Sequence, residues 1–530
     1  MDPGVALAAI LVLAAFLRFY RLRERGILLW DDGLRLREVL FVHDLSLFLE
    51  GNLKGLFSRQ VDFKAAAKNF RGRFLFENPL NIVLYAIASR ATGDIENSAY
   101  VINWLFSLFG IWLVYSVGAA MFGLKVGLIA AFLLAISGYH LLYSRSVHAE
   151  VTSGTFLIGA TFFYWKSCVL PAGGNLAALS IFAAGCLAVC SFSANVRQFH
   201  VPLLFILFEL ARQSYFAPGL DLWRWMVLAS GMLLPFYLID GFLGILRELG
   251  YPYWTFLKQI YERSGHMTRP DLLFRSALNY AETILRCEGL VAPLFALAGS
   301  WVILQQLNFQ GFILLCLLWV PILIWSSRPR SPGSVRAGSM GQYQYAVPRL
   351  ISSFIYGFVI AAGAGLNLLP KPLLAAALGI AFIWGLRIAR IILAQRSGYK
   401  KAIEFIRANS DGGHFTNVIE ISAFYAGNER SHNVYELKPG DARRLYREKG
   451  VRHFLFVPSI HKNTALEAPI PPFEEALARS RPVFTAEVGI GEFKPVLVDE
   501  YNKLDPEVFR PNLIEVHDLS EFLEQGGSRA

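Results

Sequence analysis

The chain has 530 residues, 55% hydrophobic and 14% aromatic, with a formal net charge of +10. A soluble globular chain is roughly 45–50% apolar. Here the excess is gathered in long runs, which excludes a wholly soluble protein and points to a polytopic membrane protein with one soluble appendage.

The basic balance suits anionic lipid head groups. Nucleic acid is not an expected partner, because no basic, aromatic-interleaved soluble stretch appears. A spanning helix needs about 20 mostly apolar residues. Candidate spans fall at 4–20, 97–121, 125–143, 152–170, 175–193, 197–211, 222–240, 289–307, 311–326, 346–369 and 372–394, about eleven in all. Residues 4–20 read as a retained first span, since no basic stretch precedes them and no small-residue cleavage site follows. No internal repeat is evident, which argues against a transporter built from two related halves. Cys168, Cys186, Cys190, Cys287 and Cys316 lie mostly in or beside apolar runs without metal-ligand spacing, and read as buried thiols.

After the first span comes a long polar loop that opens on Leu29-Trp30-Asp31-Asp32-Gly33. Leu34 to Phe48 reads as an amphipathic helix lying on the membrane, with Leu36, Val39, Leu40, His43 and Leu47 at three- and four-residue steps. Lys54 to Arg73 is basic. Asn78-Pro79 to Arg90 is apolar but too short to span. If it does not cross, spans 97–121 and 125–143 go in and come back around a tight turn at Lys125. Tyr143-Ser144-Arg145 to Glu150 then returns to the face of Asp31 and Asp32. By the same count the loops at 241–288 and 327–345 and the C-terminal region reach that face. Charge bias opposes calling this face external, because Arg18, Arg21, Arg23 and Arg25 fall on it.

Residues 397–530 read as a small α/β domain. Helices are expected at Tyr399–Ala408 and from Pro472 to Ala478. Strands are expected at Val451–Val457, Val483–Val488 and Val496–Asp499, with Val418–Tyr425 open to either. No Gly-rich phosphate loop is present.

Transfer of a group from a phosphate carrier to a hydroxyl needs a base for the hydroxyl and cationic donors for the leaving phosphate. Asp31 and Asp32 fit the first need, although adjacent aspartates equally suit the first turn of a helix. Arg145 fits the second, though an arginine there also suits interfacial snorkelling. Glu150 and Glu77 have ordinary helix-start readings beside functional ones. His148, His200 and His266 show no ligand spacing and read as interfacial or packed histidines. An acidic pair suits a divalent cation, but two carboxylates define no ligand set, and no other cofactor is implied.

The order of these signals resembles the GT-C superfamily, which includes protein O-mannosyltransferases and lipid A aminoarabinose transferases. Arg18-Phe19-Tyr20-Arg21-Leu22 to Trp30-Asp31-Asp32 is similar to that family's first span and acidic pair. Glu77-Asn78-Pro79-Leu80 through Leu84-Tyr85 resembles its His-Pro-Pro-Leu-Tyr segment. Leu113 through Met121-Phe122-Gly123, Leu134-Ala135-Ile136-Ser137 and Tyr143-Ser144-Arg145 form the nearest match. Gln344-Tyr345-Ala346-Val347-Pro348 resembles the late Arg-Tyr-Leu-Leu-Pro motif. The pair is Asp-Asp where Asp-Glu is commoner, His-Pro-Pro reads Glu-Asn-Pro, and the late arginine is Gln344, so Arg336 or Arg349 would replace it.

The resemblance implies a GT-C transmembrane domain over 1–396, with membrane-surface helices in an external loop at 21–96, and an extracytoplasmic domain over 397–530. It implies an inverting glycosyltransferase of the cell inner or plasma membrane. Its donor would be a polyprenyl-monophosphate sugar, and its acceptor a hydroxyl of a lipid, glycan or protein. Asp31 would be the base, supported by Asp32. Glu77, Arg145, Glu150 and Tyr345 would contact acceptor or donor, and Arg269, Arg336 and Arg349 the phosphate. Competing readings are a flippase of lipid-linked sugars and a diphosphate-donor ligase or polymerase.

Overall fold

The computed structural model describes residues 2–28, 30–57, 65, 69–72, 78–171, 173–248, 273–326, 351–438, 440–458, 470–488 and 512–525. The first helix, α1 (Pro3–Phe19), is started by Asp2, whose carboxylate accepts from Gly4 and Val5 N–H at 2.7 and 3.2 Å. There follow α2 (Trp30–Phe57), α3 (Pro79–Thr92), α4 (Ile95–Phe122), α5 (Leu124–Ile136), α6 (Gly138–Ser144) and α7 (Glu150–Val169). Next come α8 (Asn175–Ala194), α9 (His200–Ala211), α10 (Leu222–Glu248), α11 (Leu273–Glu288), α12 (Val291–Gln305), α13 (Phe309–Ser326), α14 (Phe354–Leu366) and α15 (Lys371–Ala394).

Among the described residues, six helices are long and apolar enough to cross a membrane, or up to eight if each of two bent pairs is one span. The chain is thus a multi-pass membrane protein. The expected spans at 152–170, 197–211 and 346–369 fall outside this set. α7 carries Thr, Ser and Gly through its length, α9 is 12 residues long, and α14 is 13. At about 1.5 Å per residue, helices as short as α9 and α14 fall well below the ~30 Å of a hydrocarbon core.

The expected span 125–143 is broken by 60° at Ser137. Ser137 caps α6, accepting from His140 N–H at 3.0 Å and donating to Glu288 at 2.8 Å. The carbonyls freed at the end of α5, Leu134 and Ala135, are taken by Arg18 at 3.1 and 2.8 Å. The 241–288 region, expected as a loop, is helical at both ends, because α10 runs on to Glu248 and α11 fills Leu273–Glu288. Tyr280, Thr283, Ile284 and Cys287 make the buried stripe that holds α11 down. Close helix contacts use glycine: a Cβ at Gly299 of α12 would stand 2.0 Å from the Ala361 carbonyl of α14.

From Tyr399 the chain adds α16 (Tyr399–Asn409), α17 (Ile419–Ala426), α18 (Asp441–Lys449), α19 (Pro471–Arg479) and α20 (Ser520–Gln525) around a five-stranded sheet. Its strands are β1 (His414–Thr416), β2 (Ser431–Asn433), β3 (His453–Phe456), β4 (Pro482–Val488) and β5 (Asn512–Asp518), in the order β2-β1-β3-β5-β4. The first three are parallel, and β5 is antiparallel to β3 and β4. The expected strand at 496–499 lies outside the described residues. Residues 418–425, open from sequence, are helical from Ile419 on, within α17.

The sheet region is joined to the membrane helices. α17 packs on α2, Arg37 pairs with Glu420 and donates to Asn428 at 2.7 Å, and Tyr425 donates to Glu96 at 3.1 Å. The helix at 34–48, expected at a membrane surface, is therefore covered. Residues 32–42 are buried without a break, and its charged face is paired, as Arg35 with Glu38 at 2.7 Å.

Candidate active site

Four chain segments meet at one end of the helical bundle: the end of α1, the start of α2, the 145–149 turn, and the start of α7. Asp31 and Asp32 lie in the first turn of α2, where acidic side chains oppose the helix dipole. Gly33 is needed next, because a Cβ there would stand 2.8 Å from the backbone nitrogen of Ile421 on α17. The acidic pair thus sits where the sheet region closes over the bundle.

Asp32 is fully buried. Its Oδ1 accepts from Val147 N–H at 3.3 Å and faces His148 Nε2 at 3.4 Å. His148 Nδ1 lies 3.8 Å from Glu150 Oε2, and Arg197 Nη1 stands 4.0 Å from Glu150 Oε1. A line of carboxylate, imidazole, carboxylate and guanidinium results, all of it buried or nearly so. The turn carrying His148 is clamped from behind. Asn103 donates to the Ser146 and His148 carbonyls at 2.6 and 2.8 Å, while Tyr85 and Thr152 donate to Asn103 Oδ1 at 2.9 and 2.8 Å. Burial pushes the Tyr85 phenol well above its ordinary pKa, so it keeps the proton it donates.

Beside this line is a group of buried arginines. Arg145 Nη1 donates to the carbonyls of Leu17, Arg18 and Tyr20 at 3.3, 2.7 and 2.9 Å, closing the end of α1. Its Nε and Nη2, and all three nitrogens of the fully buried Arg25, have no hydrogen-bond partner among the described residues. Arg25 lies 5.9 Å from the Tyr100 ring centre. The charges of Asp32, Arg25 and Arg145 all reach the Tyr100 phenol, whose oxygen donates to Gly26. Burial first, then the charges of Arg25 and Arg396, lower the Arg145 guanidinium from 12.5 to about 9. Cations crowded in this way are stabilised by an anion.

Of the residues singled out from sequence, Asp32, Arg145 and Glu150 gather here. The side chain of Asp31, and Glu77, Arg269, Arg336, Tyr345 and Arg349, lie outside the described residues. Sequence reading passed over three contributors. Arg25 was counted only toward orientation. His148 reads from sequence as an interfacial or packed histidine, although its i, i+2 spacing to Glu150 is visible. Arg197 has no local signal. Among the described residues no group of three or more His, Cys, Asp or Glu is arranged to hold a metal ion.

No protein-family model matches the chain, and no curated protein matches it. Solved structures do. It is similar to ArnT from Cupriavidus metallidurans bound to undecaprenyl phosphate, at 11% identity and a TM-score of 0.60, over 99% of each chain. It is also similar to the oligosaccharyltransferase AglB from Archaeoglobus fulgidus in complex with an inhibitory peptide and a dolichol-phosphate. There the identity is 10% and the TM-score 0.55, over 87% of this chain and 70% of that one. The bent, helix-rich bundle with a sheet region closing over its acidic end shares its fold with these two proteins.

Proposed function

We propose that this protein is an inverting membrane glycosyltransferase that moves a sugar from a polyprenyl-monophosphate carrier to a hydroxyl of a lipid, glycan or protein. The observation that carries the reading is the buried Asp32–His148–Glu150 line beside Arg25 and Arg145, whose unbonded nitrogens suit a phosphate. Asp31, next to Asp32 on the same helical turn, takes the proton as the acceptor oxygen attacks the anomeric carbon. The bond from that carbon to the phosphate oxygen breaks, and the carrier leaves as the lipid phosphate. Asp32 and Glu150 fix the acceptor side through His148, with Glu77 and Tyr345 as further substrate contacts. Arg25 and Arg145 hold the phosphate from inside the bundle, and Arg269, Arg336 and Arg349 from the loops. The site faces the extracytoplasmic side in this reading, with residues 397–530 as an external domain above about eleven spans.

The test uses membranes or purified full-length protein supplied with polyprenyl-phosphate sugars, and follows carrier release and glycosylated product by mass spectrometry. Asp31→Asn is expected to lower transfer by about 10²–10⁴-fold. Transfer at the wild-type rate in Asp31→Asn overturns the assignment.

A further inference from the structure

The ends of α1 and α15 enclose a groove of about 570 Å³, within the range of roughly 300–1,000 Å³ usual for small-ligand sites. Phe16 and Leu17 form one apolar wall, Leu386 and Leu393 the other. At its polar end stand Arg21, Arg390 and Arg396. Both helices finish there, so the groove runs from apolar helix flank to the level where the chain leaves the helices. None of Asp32, His148 and Glu150 lines it.

The arginines are only partly accounted for within the protein. Arg396 donates to the Leu393 and Gln395 carbonyls at 2.8 and 2.7 Å, which is ordinary for a cation at a helix C-terminus. Glu24 is the one carboxylate paired here among the described residues, 3.5 Å from Arg396 and 3.6 Å from Arg21. Arg390 is exposed and has no ion pair among the described residues. One carboxylate against three guanidiniums leaves an excess of two positive charges over an apolar trough. Arg21 is also the only described non-glycine residue with left-handed backbone, φ 51°. Such a conformation persists where the surroundings demand it.

We propose that this groove binds an anionic bilayer phospholipid, with an acyl chain along α1 and α15 and the phosphodiester on Arg21, Arg390 and Arg396. The fit is by charge and by depth. Each basic side chain near a membrane surface adds favourable energy with anionic lipid, and the leucines below supply dispersion contacts for the chain.

The full-length protein in detergent is titrated with phosphatidylglycerol, with phosphatidylcholine of the same chains, and with a polyprenyl monophosphate, and bound lipid is counted by native mass spectrometry. Wild-type protein retains phosphatidylglycerol in preference to phosphatidylcholine. Arg21→Gln with Arg390→Gln, both exposed and tolerant of change, binds it about tenfold or more weakly. Leu386→Trp, which fills the trough, also loses it, whereas Asp32→Asn keeps it. Equal retention of the two phospholipids, or retention unchanged in both groove variants, overturns the proposal. So does displacement of phosphatidylglycerol by polyprenyl monophosphate, which would give the groove to the carrier lipid. Loss of transfer activity alone has no bearing on any of these readouts.

Discussion

An arginine that is fully buried and bonded to nothing costs several kcal/mol unless an opposite charge reaches it. Arg25 and Arg18 are equally buried, yet their surroundings differ. Arg18 is saturated by Ser107, His140 and the carbonyls of Ala14, Leu134 and Ala135, whereas Arg25 has no such partner among the described residues. Opposite outcomes are expected. Arg18→Met strands the two α5 carbonyls and lowers stability by about 1–3 kcal/mol for each one left unsatisfied. Arg25→Met removes an uncompensated charge, so the melting temperature holds or rises. Transfer nevertheless falls by about 10- to 100-fold, the worth of hydrogen bonds to a charged group. Thermal melts of purified protein alongside donor-dependent rates separate the two. A fall in stability with full activity in Arg25→Met would make Arg25 structural.

At the scale of elements, the acidic pair depends on a contact between α2 and α17. Gly33 permits it by leaving no Cβ at the Ile421 backbone, and Arg37 fastens it through Glu420 and Asn428. Gly33→Val is expected to lift α17 from α2 and abolish transfer, while the sheet keeps its own core of Phe415, Phe454 and Phe473. Hydrogen exchange would show loosening confined to α2 and α17. Loosening across the sheet instead would mean that the two parts fold as one. A double-mutant cycle on Arg37 and Glu420 should return a coupling of roughly 1.5–3 kcal/mol, since both groups are buried and hydrogen-bonded.

At the scale of the whole molecule, two polar clusters sit apart in the bundle and differ in kind. One is the acidic site, with donors to spare. The other joins α7, α9 and α10, where Glu209 takes Arg224 Nε and Nη2 at 2.9 and 3.0 Å, Tyr164 at 2.8 Å and Gln213 at 2.7 Å. A network so fully bonded is structural. Glu209→Ala should cost about 3–5 kcal/mol by stranding Arg224, with transfer per folded molecule unchanged. The sheet region adds a pH dependence. Burial first, then His432 and His453, hold His414 down at about 3 from 6.5. The unfolded chain takes up a proton below 6.5 and the native one does not until about 3, so stability is lost as pH falls through that window. The expected slope is at most about 1.4 kcal/mol per pH unit. His414→Gln should flatten the dependence of the melting temperature between pH 6.5 and 4.5.

Sequence alone determined what local chemistry dictates. Apolar runs announced a multi-pass bundle. The change of composition after Arg396 placed a boundary, and Asp31-Asp32 stood out as costly acids beside a span. Sequence signals also gave the Tyr399–Ala408 helix, the helix from Pro472 and Val483–Val488 as a strand. Sequence did not determine the break at Ser137, because what holds it, Glu288 and Arg18, comes from distant segments. Three-residue strands such as β1 and β2 carry too little pattern to be read alone. The apolar steps over 34–48 read as a membrane-surface helix, and only Glu420 and Asn428, nearly 400 residues on, show that it is covered. The conversion of His148 from a packed histidine into a link between two carboxylates, and of Arg25 into a cation without a partner, depends on burial and proximity. Those are properties of the closed fold, and no residue carries them in isolation.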